Sequence, residues 1–122
     1  MAENIVKEKS KSFALRTIKL YQYLCREKKE FVLSKQILRA GTSIGANVCE
    51  ADCAMSKKEF IAKLNIALKE AAETEYWLEL LCLSEYLAQR EFESLYHECG
   101  EIKALLIAII KKSDAKIKSA EA

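Results

Sequence analysis

The sequence predicts an all-α protein, an up-down-up-down antiparallel four-helix bundle, and three observations predict it. The 122 residues contain no proline and only three glycines, so the strongest breakers of helices are nearly absent. Apolar residues make up 51% of the chain. They recur at alternating steps of three and four, the spacing of left-handed, near-parallel helix packing. Short connections then force neighbouring helices to run antiparallel. At this length the chain is one domain with a single substantial core.

The helices follow in order, at about residues 6–27, 35–55, 57–83 and 89–112, with frayed termini. In the first, Phe13, Thr17, Leu20 and Leu24 form the apolar stripe, broadened by Ala14, Ile18, Tyr21 and Cys25. Ser34 is the expected N-cap of the second, whose stripe is Ile37, Gly41, Ile44, Val48, Ala51 and Met55. Ser56 and Glu59 make a capping box that starts the third. Its stripe is Phe60, Leu64, Ala67, Ala71, Thr74, Leu78 and Leu81. The pattern breaks between Ser84 and Ala88. The fourth helix then carries Phe92, Leu95, Cys99, Ile102, Leu106 and Ile109, with Gly100 tolerated inside it.

The stretch AGTSIGANVCEADCAMSKKEF, residues 40–60, is the most informative. A glycine inside a helix costs roughly 1 kcal/mol relative to alanine, so Gly41 and Gly45 imply a close approach by another backbone. Asn47 and Glu50 lie one step off the apolar stripe, which implies a partly buried polar seam. Antiparallel pairing about the turn at residues 55–57 levels Glu50 with Lys63, Asn47 with Asn65, Thr42 with Glu70, and Arg39 with Glu73. As solvated surface charges such pairs contribute only ~0–1 kcal/mol each. Their agreement on one register favours a seam of Arg39, Asn47, Glu50, Lys63, Glu70 and Glu73 that fixes which helices face each other.

TSIGANVCEA followed by SKKEFIAKLNIALKEAAETEYWLELL closely resembles the four-helix bundle proteins related to those encoded in intervening sequences of bacterial 23S ribosomal RNA genes. The resemblance runs from Phe13 to the Lys111 region. It is carried by Arg39, Ser43, Ile44, Ala46, Asn47, Glu50, Ala51, Ser56, Phe60, Lys63, Ala67, Glu70, Glu73 and Trp77. Gly45 stands where many relatives have proline. The resemblance implies a small cytoplasmic bundle that assembles into a homo-oligomeric ring of five, without enzymatic activity. A similar fold serves as the accessory protein of diversity-generating retroelements, which binds nucleic acid and a reverse transcriptase. That more distant likeness is one of fold alone.

Several chemistries lack their residues. A carboxylate-bridged di-iron bundle needs two Glu-x-x-His motifs, and the single histidine, His97, has Ser94 three positions before it. GTSIG lacks the lysine and strand of a phosphate-binding loop. No nucleophile–base–orienter set is evident, so no catalytic residue, cofactor or small-molecule substrate is assigned. The five cysteines, Cys25, Cys49, Cys53, Cys82 and Cys99, are odd in number and helical in spacing. That pattern favours reduced packing thiols over a disulfide framework. Cys49 and Cys53, one turn apart, offer two corners of a metal site but no third ligand, so no metal is assigned. No apolar run reaches the ~20 residues needed to span a membrane, and the first residues lack the apolar core of a signal peptide. A cytoplasmic location is the default expectation.

Net charge is only +2, a poor nucleic-acid signature by itself. Its distribution is uneven. Residues 1–42 carry ten basic and four acidic groups, residues 43–101 five and twelve, and residues 102–122 five and two. The bundle topology brings the start of helix one, the helix two–three turn and the end of helix four to one pole. That pole collects Lys7, Lys9, Lys11, Lys57, Lys58, Lys111, Lys112, Lys116 and Lys118, diluted by Glu8, Asp52, Glu59 and Asp114. Helix-dipole compensation and solubility account for part of the lysine excess. Lys57, Lys58, Lys111, Lys112, Lys116 and Lys118 are the candidate phosphate contacts, and no aromatic platform is expected beside them. Leu105, Ile107 and Ile110 flank the fourth stripe, so that helix is apolar nearly all round, as a subunit contact would require. The sequence therefore reads as a non-enzymatic, homo-oligomeric assembly or binding module with RNA, or a nucleic-acid-associated protein, as partner. The alternative is a purely protein-binding scaffold that presents acidic surfaces of helix three.

Overall fold

In the computed structural model, which describes residues 2–121, four α-helices and no strand are present among the described residues. They are α1 (Ala2–Arg26), α2 (Leu33–Asp52), α3 (Lys57–Leu83) and α4 (Gln89–Glu121). Each packs on its neighbours in the cycle α1–α2–α3–α4–α1, and the backbones of the diagonal pairs stay more than 8 Å apart. The fold is the expected antiparallel four-helix bundle.

The core is built from the expected stripes, continued further along two helices. Val6 and Ser10 are buried and continue the α1 stripe backwards from Phe13. The helix itself begins at Ala2, four residues before the expected start, with Ala2 to Ile5 exposed. Ser113 is buried and Ile117 half-buried, one and two turns beyond Ile109, so α4 stays helical to Glu121 where an end near residue 112 was expected. Met55 leaves the expected α2 stripe altogether. Its side chain is 92% exposed, because α2 stops at Asp52 and Cys53 to Ser56 turn the chain into α3. Phe60 is only partly buried, packed against the edge of the core.

Local chemistry sets the ends. The Ser56 side chain accepts from the Glu59 N–H at 3.1 Å, as the capping box requires. The Glu59 carboxylate accepts from the Met55 N–H at 2.8 Å, one residue earlier than the usual reciprocal bond. Ser34 is not the cap of α2. The helix starts at Leu33 after Val32, which caps with no side-chain bond. Glu30 does the work from upstream, accepting from the N–H groups of Val32, Leu33 and Ser34 at 3.2, 3.0 and 2.7 Å. Burial would raise the Glu30 carboxyl, but these backbone donors outweigh it and hold the group below its ordinary range. At the end of α3, Tyr86 N–H bonds Leu81 O and Glu85 N–H bonds Cys82 O. Glu85 takes the left-handed position, φ 67°, that glycine usually fills in this motif.

The close approach implied at Gly41 is real, but it is made by a side chain. A Cβ on Gly41 would lie 2.6 Å from both Cγ2 and Oγ1 of Thr17. Thr17 is itself held, donating to Phe13 O at 2.9 Å. At Gly45 the facing atoms, Ser10 Oγ and the Ser10 backbone, stand at 3.4–3.5 Å, so side chain and backbone both approach there, and less tightly. Nothing lies within 4 Å of the corresponding point at Gly100. Gly41→Ala should therefore cost about 1–3 kcal/mol, the range of core overpacking. Adding Thr17→Ala should recover part of that loss. Gly100→Ala should be neutral or stabilise by up to about 1 kcal/mol. Urea unfolding of the four proteins checks this; equal effects at Gly41 and Gly100 would contradict it.

Candidate nucleic-acid interface

Topology places the start of α1, the α2–α3 turn and the end of α4 at one pole, and side chains tie them there. Lys7 pairs with Asp52, joining α1 to the end of α2. Lys58 reaches Glu121 at 3.9 Å, joining the first turn of α3 to the last turn of α4. Lys9 lies 3.8 Å from Glu101, and Lys118 lies 3.6 Å from Asp114 on its own helix. Lys7 is raised above its ordinary range, first by the hydrogen bond to Asp52 and then by its charge.

These pairings divide the lysine set. Among the described residues, Lys11, Lys57, Lys111, Lys112 and Lys116 stand in no ion pair, and all five are exposed. Lys58 and Lys118 have a carboxylate within reach, but their side chains are 79% and 77% exposed, and such pairs exchange readily with solvent. Lys116 and Lys118 lie on helix, not on a frayed tail. One aromatic ring does stand at the pole, contrary to the sequence expectation. Lys57 Nζ sits 5.6 Å from the centre of the Phe60 ring, a cation–π distance. Phe60 is half sunk into the core edge, so little of its face remains free.

The polar seam is present in altered form. Lys63 Nζ donates to Glu50 Oε1 at 2.9 Å, and Arg39 donates to Glu73 and, at 3.2 Å, to Glu70. Trp77 Nε1 shares the same Glu73 oxygen at 2.9 Å. Thr42 does not reach Glu70; its hydroxyl donates to Leu38 O at 2.7 Å, within its own helix. Asn47 and Asn65 do not meet either. Each donates one turn back, to Ser43 O at 2.9 Å and Ile61 O at 3.2 Å. A short amide finds its own helix carbonyl sooner than a side chain across the interface.

The other interfaces are laced in ways the sequence reading missed. Lys103 donates to Glu75 at 2.7 Å, with Glu75 only 13% exposed. Tyr96 OH donates to Glu79 at 3.0 Å. Arg16 donates to Glu98 and Glu91 at 2.5 and 2.9 Å. Levelling α3 against α4 about the Ser84–Ala88 break sets Lys103 beside Lys69, so spacing alone does not find Glu75. The cysteines divide by burial. Cys99 is buried, and desolvation pushes its thiol up to about 12, beyond the range of a reactive thiolate. Cys49 and Cys53 are exposed, and no cluster of three metal-ligating side chains occurs among the described residues. No helix there is long and apolar enough to cross a membrane.

The sequence model of the 23S rRNA-intervening sequence proteins matches residues 2–108. The chain belongs to that family. A crystal structure of a protein with unknown function from the S23 ribosomal protein family of Bacteroides thetaiotaomicron VPI-5482 is similar to it. The two are 59% identical with a TM-score of 0.90, over 91% of this chain and 99% of that one. No curated protein matches the chain. Within this member of the 23S rRNA-intervening sequence family, Lys57 and Lys58 lie inside the matched span. Lys111, Lys112, Lys116 and Lys118 lie beyond it.

The two kinds of seam pair should behave differently on truncation. The Glu50 and Lys63 side chains are 58% and 30% exposed, so Glu50→Ala should cost less than about 1 kcal/mol. Glu75 is the more buried acid, and Lys103→Ala, which strands it, should cost about 1–3 kcal/mol. Chemical denaturation of the single and double variants gives the coupling. A larger loss at Glu50 than at Lys103 would overturn this ranking.

Proposed function

We propose that the chain is a non-enzymatic, homo-oligomeric assembly module, a ring of five by its family likeness, whose repeated basic pole binds RNA. The observation that carries this reading is the pole itself. Two separated segments, the start of α3 and the end of α4, bring Lys57, Lys111, Lys112 and Lys116 to it with no carboxylate partner among the described residues. An isolated patch of this size attracts phosphates weakly. Repetition in every subunit makes the second and later contacts intramolecular, and summed contacts give useful affinity. The non-enzymatic part rests on where the one histidine stands. His97 is 79% exposed on the outside of α4, and among the described residues Glu101, at 3.8 Å, is its one acidic partner.

The pole offers a field and no reading head. It presents helix ends, not a helix side that fits the DNA major groove, and only the half-sunk Phe60 ring for stacking. Binding should therefore show slight sequence preference and weaken steeply with salt, since each neutralised phosphate releases counterions. Filter binding with a generic structured RNA at low and moderate salt tests this. Reversing Lys57 and Lys58 to Glu should abolish binding, and reversing Lys111 and Lys112 should do the same, with helical content unchanged. Wild-type binding by both double variants, or no binding by the wild type at low salt, contradicts the RNA reading. The protein-binding scaffold would then replace it.

A further inference from the structure

Two helices carry a second stripe, pointing away from the core, that no described residue covers. On α3, Ala62, Ile66, Lys69, Glu73, Tyr76, Leu80 and Leu83 repeat at steps of four and three on the face opposite Leu64, Ala71 and Leu78. Ile66 is 43% and Tyr76 54% exposed. On α1, Lys11, Leu15, Ile18 and Gln22 repeat in the same way, with Leu15 58% and Ile18 37% exposed. A monomer has no use for large apolar side chains in regular array on its outside. The two stripes sit on helices at diagonal corners of the bundle, so they face away from each other.

We infer that the outer face of α1 in one copy seats on the outer face of α3 in the next, side by side and parallel, so that the contact repeats head to tail. The inference rests on the homo-oligomer reading and specifies its surfaces. Contacts within the chain supply the register. Arg39 stands level with Glu73, so Gly41, two residues on, stands level with Ala71. Thr17 lies against Gly41, and therefore Thr17 and Ala71 share one height. α1 and α3 run in the same direction, so Leu15 shares a height with Lys69, Ile18 with Ala72, Lys19 with Glu73 and Gln22 with Tyr76. Copies arranged around an axis parallel to the bundle meet at equal heights. Leu15 and Ile18 then enter the span from Ile66 to Tyr76, where the small Ala72 leaves room.

Charge agrees with this register and chooses a second copy as the occupant. Lys19 is exposed and stands in no ion pair among the described residues. Arg39 and Trp77 both engage Oε2 of Glu73, which leaves Oε1 for a cation from outside. Residues 1–42, which bear the α1 face, have a surplus of basic groups, and residues 43–101, which bear α3, a surplus of acidic ones. Opposite faces that fit each other make a heterologous contact, which closes into a ring when the rotation permits.

Light scattering on wild type, Leu15→Glu, Tyr76→Glu and an α4 control, Ile107→Glu, tests the contact. All three positions are exposed, and circular dichroism confirms that each variant keeps its helices. Leu15→Glu and Tyr76→Glu should run as monomers, and Ile107→Glu should keep the wild-type mass. Leu15→Glu retains a sound α3 face and Tyr76→Glu a sound α1 face. An equimolar mixture should therefore give a one-to-one dimer and nothing larger, which two-fold contacts would not produce. A monomeric wild type would sink the homo-oligomer reading itself. An oligomeric wild type whose Leu15 and Tyr76 variants keep its mass, or a mixture that stays monomeric, would overturn this interface alone. Dissociation by Ile107→Glu only would move the contact to α4 and also overturn it.

Discussion

The contact between Thr17 and Gly41 is the constraint on which the other heights in the bundle depend. A side chain on Gly41 would stand 2.6 Å from Thr17 atoms, so α1 and α2 settle at a separation only glycine allows. That separation seals Phe13, Ile37 and Ile44 into one core and sets which residues of α1 and α2 share a level. Arg39 and Lys63 carry the level across to α3 through Glu73, Glu70 and Glu50. Lys103 and Tyr96 carry it to α4 through Glu75 and Glu79. Arg16 closes the cycle from α1 onto Glu98 and Glu91 of α4. Individually the exposed pairs contribute little. Together they disfavour a bundle shifted by one turn, which would separate every one of them.

The inner stripes were legible because burial imposes a period that the chain cannot hide. Phe13 to Leu24, Ile37 to Ala51, Leu64 to Leu81 and Leu95 to Ile109 all face the core. The α2–α3 register was legible because long charged side chains reach across an interface, so a sequence sum finds Arg39–Glu73 and Glu50–Lys63. It failed for Thr42, Asn47 and Asn65, whose short side chains bond their own helix first. The start of α2 was misplaced because Glu30 caps it from outside the helix, through a chain path that spacing does not reveal. Met55 fits the α2 period but falls after the helix has ended, and periodicity alone does not mark that end. Leu105 and Ile110 fit an all-round apolar helix, yet both pack on the bundle's own core. The outer stripes of α1 and α3 were present in the sequence but masked by the stronger inner ones.

The candidate interface was legible at the level of topology and no finer. An up-down bundle of four helices must gather the α1 start, the α2–α3 turn and the α4 end, so the pole's lysines follow from connectivity. Which of them are free depends on ångström-scale reach. Lys7 finds Asp52 and Lys58 finds Glu121, whereas Lys111, Lys112 and Lys116 find no acid among the described residues. The proposed roles divide the molecule by surface. The core and its seams hold the four helices, the outer faces of α1 and α3 join copies, and the pole is left free to meet phosphates. Copies joined along their sides would set every pole in one plane, the arrangement in which weak contacts sum.

Native-state hydrogen exchange, read residue by residue, tests most directly the claim that the α1–α2 contact governs the bundle. The account predicts that amides from Phe13 to Leu20 and from Ala40 to Val48 are the slowest, exchanging only through global unfolding. The end of α4, beyond Ser113, should open first. Exchange of the Phe13–Leu20 amides through a partial opening that leaves α2, α3 and α4 protected would contradict it, because the rest of the bundle would then stand without the contact said to hold it.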